Sequence, residues 1–319
     1  MYNTGHQMSN HKYNVQRYPL VWFYVISVLI EIAIIPLFFF TGADQTVFKA
    51  LEKTGIPFKT DLISAFKLIL AAPETLPAIF LSITQVAAVD IAVIIVVKLA
   101  YGNAGITDLK SRFRFWKQDI SWQNGLRKWC ICIFTFSLIN LASAWFNKSM
   151  FPGLFVWDVN LLPIAFLISL IITLFLDTGG LFEENGWRGF ALPLLLQRFN
   201  PVQASIYLGI IWGVWHFPVK YNVFLSYGFT EGAIYLLTFT IRLVFVSIIM
   251  TYFWNQLGQT TIIAIAMHGL INDSIGLGGR IESENFIPQL FTEINLLLPT
   301  AVVAVILLIR TKGKLGLNI

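Results

Sequence analysis

The fold class this sequence predicts is all-α, a polytopic transmembrane helical bundle of about eight spans. The first observation is compositional. Of 319 residues, 56% are hydrophobic and only 12% charged, with a mean hydropathy of +0.71. A soluble domain carries roughly 25% charged residues, so this chain has too little charge to cover a surface in water. The second is the length of its apolar runs, since about 20 apolar residues cross the hydrocarbon core as a helix. The third is its 28 Phe and 10 Trp, residue types that face lipid and gather at membrane interfaces.

Along the chain, apolar runs place spans near 20–40, 77–99, 127–146, 160–177, 203–217, 232–254, 260–273 and 290–309. The first run is too long for a signal-peptide core and lacks a small-residue cleavage site, so it is expected to stay as an anchor. The run 203–217 is short for a full crossing. Segment 181–199 reads as a further, amphipathic embedded helix. Residues 102–126, with interleaved Arg, Lys, Phe and Trp, read as an interfacial amphipathic helix. No internal repeat or linker interrupts the pattern. One integral membrane domain, 1–319, is therefore expected, with a core at about 160–275 and accessory N-terminal spans over 20–146.

Loop charge sets the expected orientation. Segment 100–128 holds Lys110, Arg112, Arg114, Lys117, Arg127 and Lys128 against Asp108 and Asp119, and the C-terminal tail adds Arg310, Lys312 and Lys314. Positive loops stay cytoplasmic, so both termini are expected inside, in a multi-pass protein of a plasma membrane, of bacterial type. The formal net charge of +5 is spread between apolar spans, where anionic lipid headgroups account for it and a nucleic-acid footprint does not. Cys130 and Cys132 lie two apart in an apolar run. Residues so spaced on a helix do not share a face, and both read as small apolar side chains.

Ionisable residues at apolar depth are costly and mark function. Here they are Glu31, Asp90, Asp177, Glu183, Glu184, Arg188, His216, Arg242, His268 and Asp273. Three segments stand out. In Glu183-Glu184-Asn-Gly-Trp-Arg188, Glu184 and Arg188 are four apart and share a helix face, so the guanidinium pairs with that carboxylate and leaves Glu183 to point elsewhere. His216 ends an aromatic helix, Trp212-Gly-Val-Trp-His216, and His268 and Asn272 lie one turn apart. Gly213 and Gly269 would let neighbouring helices approach closely. Together these groups suit hydrolysis by an activated water. A carboxylate acts as general base, an imidazole orients water or protonates the leaving amine, and a His–Asn pair aims donors at an oxyanion. No cofactor is required by this reading. The same Glu183, His216 and His268 could instead hold a divalent metal such as zinc with an open position for water. The lack of an adjacent ligand pair such as His-Glu-x-x-His favours the metal-free form slightly.

At these residues the chain resembles the CAAX prenyl protease and bacteriocin-processing family, also called the Abi family, of intramembrane peptidases. Its pattern is Glu-Glu-x-x-x-Arg, then Phe-x-x-x-His, then His-x-x-x-Asn, in that order. Trp212 stands where the family usually has Phe, and its indole N–H needs a partner. The resemblance covers roughly 160–275. It implies a peptidase acting near or within the membrane on a membrane-associated peptide or protein. It further implies that Glu183 activates water with His216, Glu184 pairs with Arg188, and His268 with Asn272 stabilises the oxyanion. It leaves open whether the enzyme is a metalloprotease.

Other intramembrane protease signatures are absent: there is no His-Glu-x-x-His, and the triplet Asp177-Thr178-Gly179 has no second copy, so it reads as a helix end. Two further classes remain. The same fold would serve a non-catalytic immunity, interaction or signalling-regulator protein. A small transporter would use Glu31, Asp90 and Arg242 along a path, although no repeated halves support it.

Overall fold

The computed structural model describes residues 10–57, 59–157, 159–273 and 275–317. Nearly all of it is helical: α1 (Asn10–Arg17), α2 (Pro19–Thr41), α3 (Ala43–Thr54), α4 (Leu62–Ala71), α5 (Leu76–Val86), α6 (Ala88–Ser111), α7 (Trp122–Met150), α8 (Pro163–Leu176), α9 (Thr178–Gly186), α10 (Leu192–Leu196), α11 (Pro201–Val219), α12 (Tyr221–Gln256), α13 (Thr261–Asn272) and α14 (Phe286–Thr311). A two-residue hairpin-like pairing, β1 (Phe155–Val156) with β2 (Arg280–Ile281), ties two loops together.

Five helices (α2, α6, α7, α12 and α14) are long and apolar enough to cross a membrane. Their outer faces carry large apolar side chains such as Phe40 (87% exposed) and Ile309 (73%). Lipid, not water, suits such a surface.

The ends of these helices follow local chemistry. Pro19 opens α2, and Gly42, with a left-handed φ of 61°, closes it by donating its N–H to Phe38 O. Asn200 and Gln203 form a reciprocal capping box at the start of α11, with Pro201 at the first helical position.

Apolar contact alone gives little preference for helix over lipid, so close approach and polar bridges hold the bundle. A Cβ at Gly213 would meet Thr240 of α12 at 2.6 Å, and one at Gly269 would overlap the Thr173 carbonyl of α8. Both glycines thus allow the close packing expected of them. Asn295 of α14 donates to Asn147 of α7 (2.8 Å), Ser205 of α11 to Thr251 of α12 (2.8 Å), and Asn140 of α7 to the Leu270 carbonyl of α13 (2.8 Å).

Several sequence expectations are corrected. Residues 102–126 are not one interfacial helix: α6 breaks at Gly102 (φ 65°), ends at Ser111, and turns fill the stretch before α7. A glycine and the dense basic charge oppose a continuous helix there. The run 77–99 is split between α5 and α6 at Ala87. Segment 181–199 is α9, a π turn over Trp187–Ala191, and α10. The runs 160–177 and 260–273 form helices of 14 and 12 residues, too short to cross unaided. Between α2 and α5, where no span was expected, the chain forms α3 and α4, and α3 packs against α2, α4 and α5.

The termini of the described chain converge. Gln16 donates to the Ala100 carbonyl (2.7 Å), and Asn255 donates to the Leu315 carbonyl (2.8 Å). Lys117 N–H reaches Leu257 O (3.1 Å). Residues 100–128, the α12–α13 turn and the C-terminal tail therefore meet at one basic end.

Candidate active site

The site is assembled from α9, the π turn, α11 and α13. Asp177 makes it possible by interrupting the chain between α8 and α9. Its backbone is extended, its Oδ1 accepts from Gly180 N–H (2.8 Å), and it caps the N-terminus of α9. It is the end of α8, as the sequence suggested, but its carboxylate does more. Asn272 Nδ2 donates to both of its oxygens (3.0 and 3.1 Å), and Thr60 Oγ1 donates to Oδ2 (2.9 Å). The ends of α9 and α13 are locked together by this one buried side chain.

From that lock α9 runs against α13, and Gly179 is what permits it. A Cβ there would lie 2.5 Å from His268 Nε2 and 3.1 Å from Asn272 Nδ2. On the other side, Asp90 of α6 accepts from Asn185 Nδ2 (2.6 Å) and from Gly186 N–H (3.2 Å). The Asn185–Gly186 pair is therefore pinned. The π turn that follows is wholly buried, and such turns concentrate at functional sites because they re-aim side chains.

Adjacent glutamates diverge as the helical geometry requires. Glu184 Oε1 accepts from Arg188 Nη1 (2.7 Å) and from His268 Nδ1 (2.8 Å), with Glu184 and Arg188 both 0% exposed. Glu183 turns instead toward two indoles. Trp187 Nε1 (3.0 Å) and Trp212 Nε1 (3.1 Å) both donate to its Oε2. No cation is hydrogen-bonded to it among the described residues, although His268 lies within electrostatic reach. One carboxylate is bonded to both Arg188 and His268; its neighbour accepts only from neutral indole donors.

Trp212 sits at the centre. Its indole N–H has the partner the sequence demanded, in Glu183. Its ring lies under the Arg188 guanidinium (4.3 Å), and beside the rings of His268 (5.3 Å) and His216 (6.1 Å). His216 Nδ1 faces the Trp212 carbonyl (2.8 Å). A carbonyl only accepts, so that nitrogen carries the proton and Nε2 keeps its lone pair. His216 also lines a polar cavity of about 320 Å³ with Lys220, Asn272 and Asp273.

All six expected site residues thus fall in one region. Glu184, Arg188 and His268 form a bonded chain, and Glu183 is joined to it through Trp212. Asn272 is bound at its amide nitrogen to Asp177. Among the described residues no three His, Cys, Asp or Glu side chains are grouped closely enough to hold a metal ion. The hydrogen bonds of the site engage Glu183 Oε2, His268 Nδ1 and His216 Nδ1, and the two Nε2 atoms and Glu183 Oε1 lie outside them. Glu31, Asp90 and Arg242 do not share a path either. Glu31 binds Gln85 (3.0 Å), Asp90 binds α9, and Arg242 pairs with Glu293 (2.8 Å).

Sequence reasoning missed Trp187 and underrated Asp177. The signal for Trp187 was present, since it lies four residues after Glu183 on the same face. Asp177 had no such signal, because its partner Asn272 is 95 residues away.

Comparison with known proteins bears on this region. Residues 159–273, which contain all six expected site residues, match the family described as Type II CAAX prenyl endopeptidase Rce1-like. The likeness to the CAAX prenyl endopeptidases is shown over this segment. A relative, CAAX prenyl protease 2 of Methanococcus maripaludis, is 35% identical over 128 residues, which is 40% of this chain. The match spans 44% of that relative's length. The CAAX protease likeness therefore coincides with the expected site residues and leaves helices α1–α7 and α14 outside the matched family segment.

Proposed function

We propose that this chain is an intramembrane endopeptidase that hydrolyses a peptide bond in a membrane-associated protein or peptide, with water activated by Glu183. The observation that carries this reading is the division between the two glutamates. Glu184 is neutralised by Arg188 and His268. Glu183, only 4% exposed, is oriented by two indole N–H groups on one oxygen. A carboxylate fixed in place without a bonded cation keeps its basicity for a proton.

In the reaction, water oxygen attacks the peptide carbonyl carbon while its proton passes to Glu183. The tetrahedral oxyanion is stabilised by His268, which Glu184 orients and supports as a cation. The C–N bond then breaks, and the proton held by Glu183 passes to the leaving amine. His216, with its Nε2 lone pair, orients the attacking water or the amine. Arg188 and Asp177 act through other residues: Arg188 holds Glu184, and Asp177 holds Asn272 and the start of α9. The relative's name concerns prenylated CAAX proteins, and a lipid-bearing substrate fits a site built between apolar helices.

The test compares cells expressing wild type with cells expressing Glu183→Ala at equal protein level. New N- and C-termini in membrane proteins and secreted peptides are read by mass spectrometry. Termini that vanish in the variant support proteolysis and identify the substrate. An unchanged profile with both proteins well expressed removes the catalytic reading and favours the binding protein.

A further inference from the structure

A second polar site lies at the basic end, away from the glutamates. A cavity of about 400 Å³ is lined by Asp108, Ser111, Arg112, Arg114, Lys117, Asn255, Gly258 and Gln259, from the α6–α7 connection and the α12–α13 turn. Its lining is mostly donors. Arg112 spends Nη2 on Asp108 (2.8 Å), and Arg114 Nη2 makes a long contact with the Gly258 carbonyl (3.4 Å). Arg112 Nη1 and Arg114 Nε are buried with no hydrogen-bond partner among the described residues. Each of these two cavity-lining arginines thus holds one buried guanidinium N–H unmatched, which is costly unless an acceptor reaches it. Lys117 stands at the rim, bonded to Asp119 (2.9 Å), and Lys128 donates to the Gln256 carbonyl (2.6 Å) beside it. Across segment 100–128, six cations face two acids, so the local field is positive.

The cavity has an unmatched acceptor as well. Asn255 Oδ1 is buried without a partner and lies in the same lining. The lining thus offers the donors of Arg112, Arg114 and Lys117 and the amide of Asn255 to a ligand that carries oxyanions and a hydroxyl. The cavity is also firmly built, because Lys117 N–H bonds Leu257 O (3.1 Å) and Thr261 N–H bonds Arg112 O (2.9 Å). That second bond joins the cavity wall to the first residue of α13, the helix that carries His268.

We infer that this cavity binds a phosphate oxyanion through Arg112 and Arg114. The chemistry is that of a phosphodiester bearing a hydroxylated headgroup, or of free phosphate. Forked guanidinium donors match phosphate geometry, and the site opens at the end of the bundle where lipid headgroups lie.

The experiment uses the full chain in nanodiscs of phosphatidylcholine alone or mixed with phosphatidylglycerol. Native mass spectrometry of the released protein reads retained lipid, and thermal melting reads stabilisation. Inorganic phosphate is titrated into the phosphatidylcholine discs as the separate arm. Wild type is expected to retain phosphatidylglycerol in preference to phosphatidylcholine, or to melt higher with phosphate. Arg114→Gln should weaken whichever is seen by about tenfold, the worth of one charge-assisted hydrogen bond. Lys148→Gln, an exposed cation at the end of α7, should change neither. Phosphatidylglycerol retention assigns the site to lipid; a response to phosphate alone assigns it to the soluble anion. No preference in wild type, or equal loss in Arg114→Gln and Lys148→Gln, overturns the inference. Should Arg114→Gln not fold, Arg114→Lys keeps the charge but loses the fork, and unchanged binding in it also overturns the guanidinium role.

Discussion

Replacing Arg188 by Met tests the electrostatic core of the site most directly. The Arg188–Glu184 pair is 2.7 Å long and neither side chain is exposed. Removing one partner of such a pair costs about 3–5 kcal/mol, because the other charge stays buried and uncompensated. His268 also donates to Glu184 Oε1, and a hydrogen bond to a charged group is worth about 1.5–3 kcal/mol. Arg188→Met should therefore fall at the low end, about 3 kcal/mol, or roughly a hundredfold in the unfolding equilibrium. Glu184→Gln keeps an acceptor for His268 but leaves the guanidinium charge uncompensated, and should cost about 3 kcal/mol. The double variant should lose much less than the sum. Glu184 Oε2 and Arg188 Nε and Nη2 have no hydrogen-bond partner among the described residues, so the intact pair is incompletely satisfied. A neutral replacement removes that burden. The assay is reversible unfolding in mixed micelles, followed by tryptophan fluorescence, with all four proteins forming one thermodynamic cycle. An Arg188→Met variant as stable as wild type, or strictly additive single effects, would refute the reasoning.

Trp187→Phe and Trp212→Phe each delete one indole donor to Glu183 Oε2. Each should lower kcat about tenfold with KM little changed, as expected for loss of one hydrogen bond to a charged group, and the pair should lower it further. Gly179→Ala places a methyl 2.5 Å from His268 Nε2; overpacking of about 1–3 kcal/mol should lower the melting temperature and displace the imidazole, which loss of peptidase activity would register. Asp177→Ala removes a helix cap and the anchors of Asn272 and Thr60, and should destabilise by about 2–3 kcal/mol in the same unfolding assay. Treatment with a strong zinc chelator should leave cleavage unchanged where Glu183 activates water without a metal; inactivation restored by added zinc would establish the metal reading instead.

Much of the site was legible in the sequence because its strongest contact is local. Glu184 and Arg188 are four apart, and α-helical geometry alone brings them together. The same rule separated Glu183 from Glu184 by about 100°, as 3.6 residues per turn requires. It also reached Gly213 and Gly269, since small residues in apolar helices point to close packing. Helix boundaries near 102–126 and 181–199 were not legible, because apolar and basic content does not report a break at Gly102 or a π turn at Trp187.

By itself, then, the sequence determined the solvent of this protein, its helical class and the residue types of its chemistry, since composition and period fix which surfaces meet lipid. Tertiary structure alone decided what each of those residues faces. Glu183 reaches Trp212 across 29 positions, His268 reaches Glu184 across 84, and Asp177 reaches Asn272 across 95. No local period encodes such distances; they follow from how short helices stack where glycine lets backbones touch.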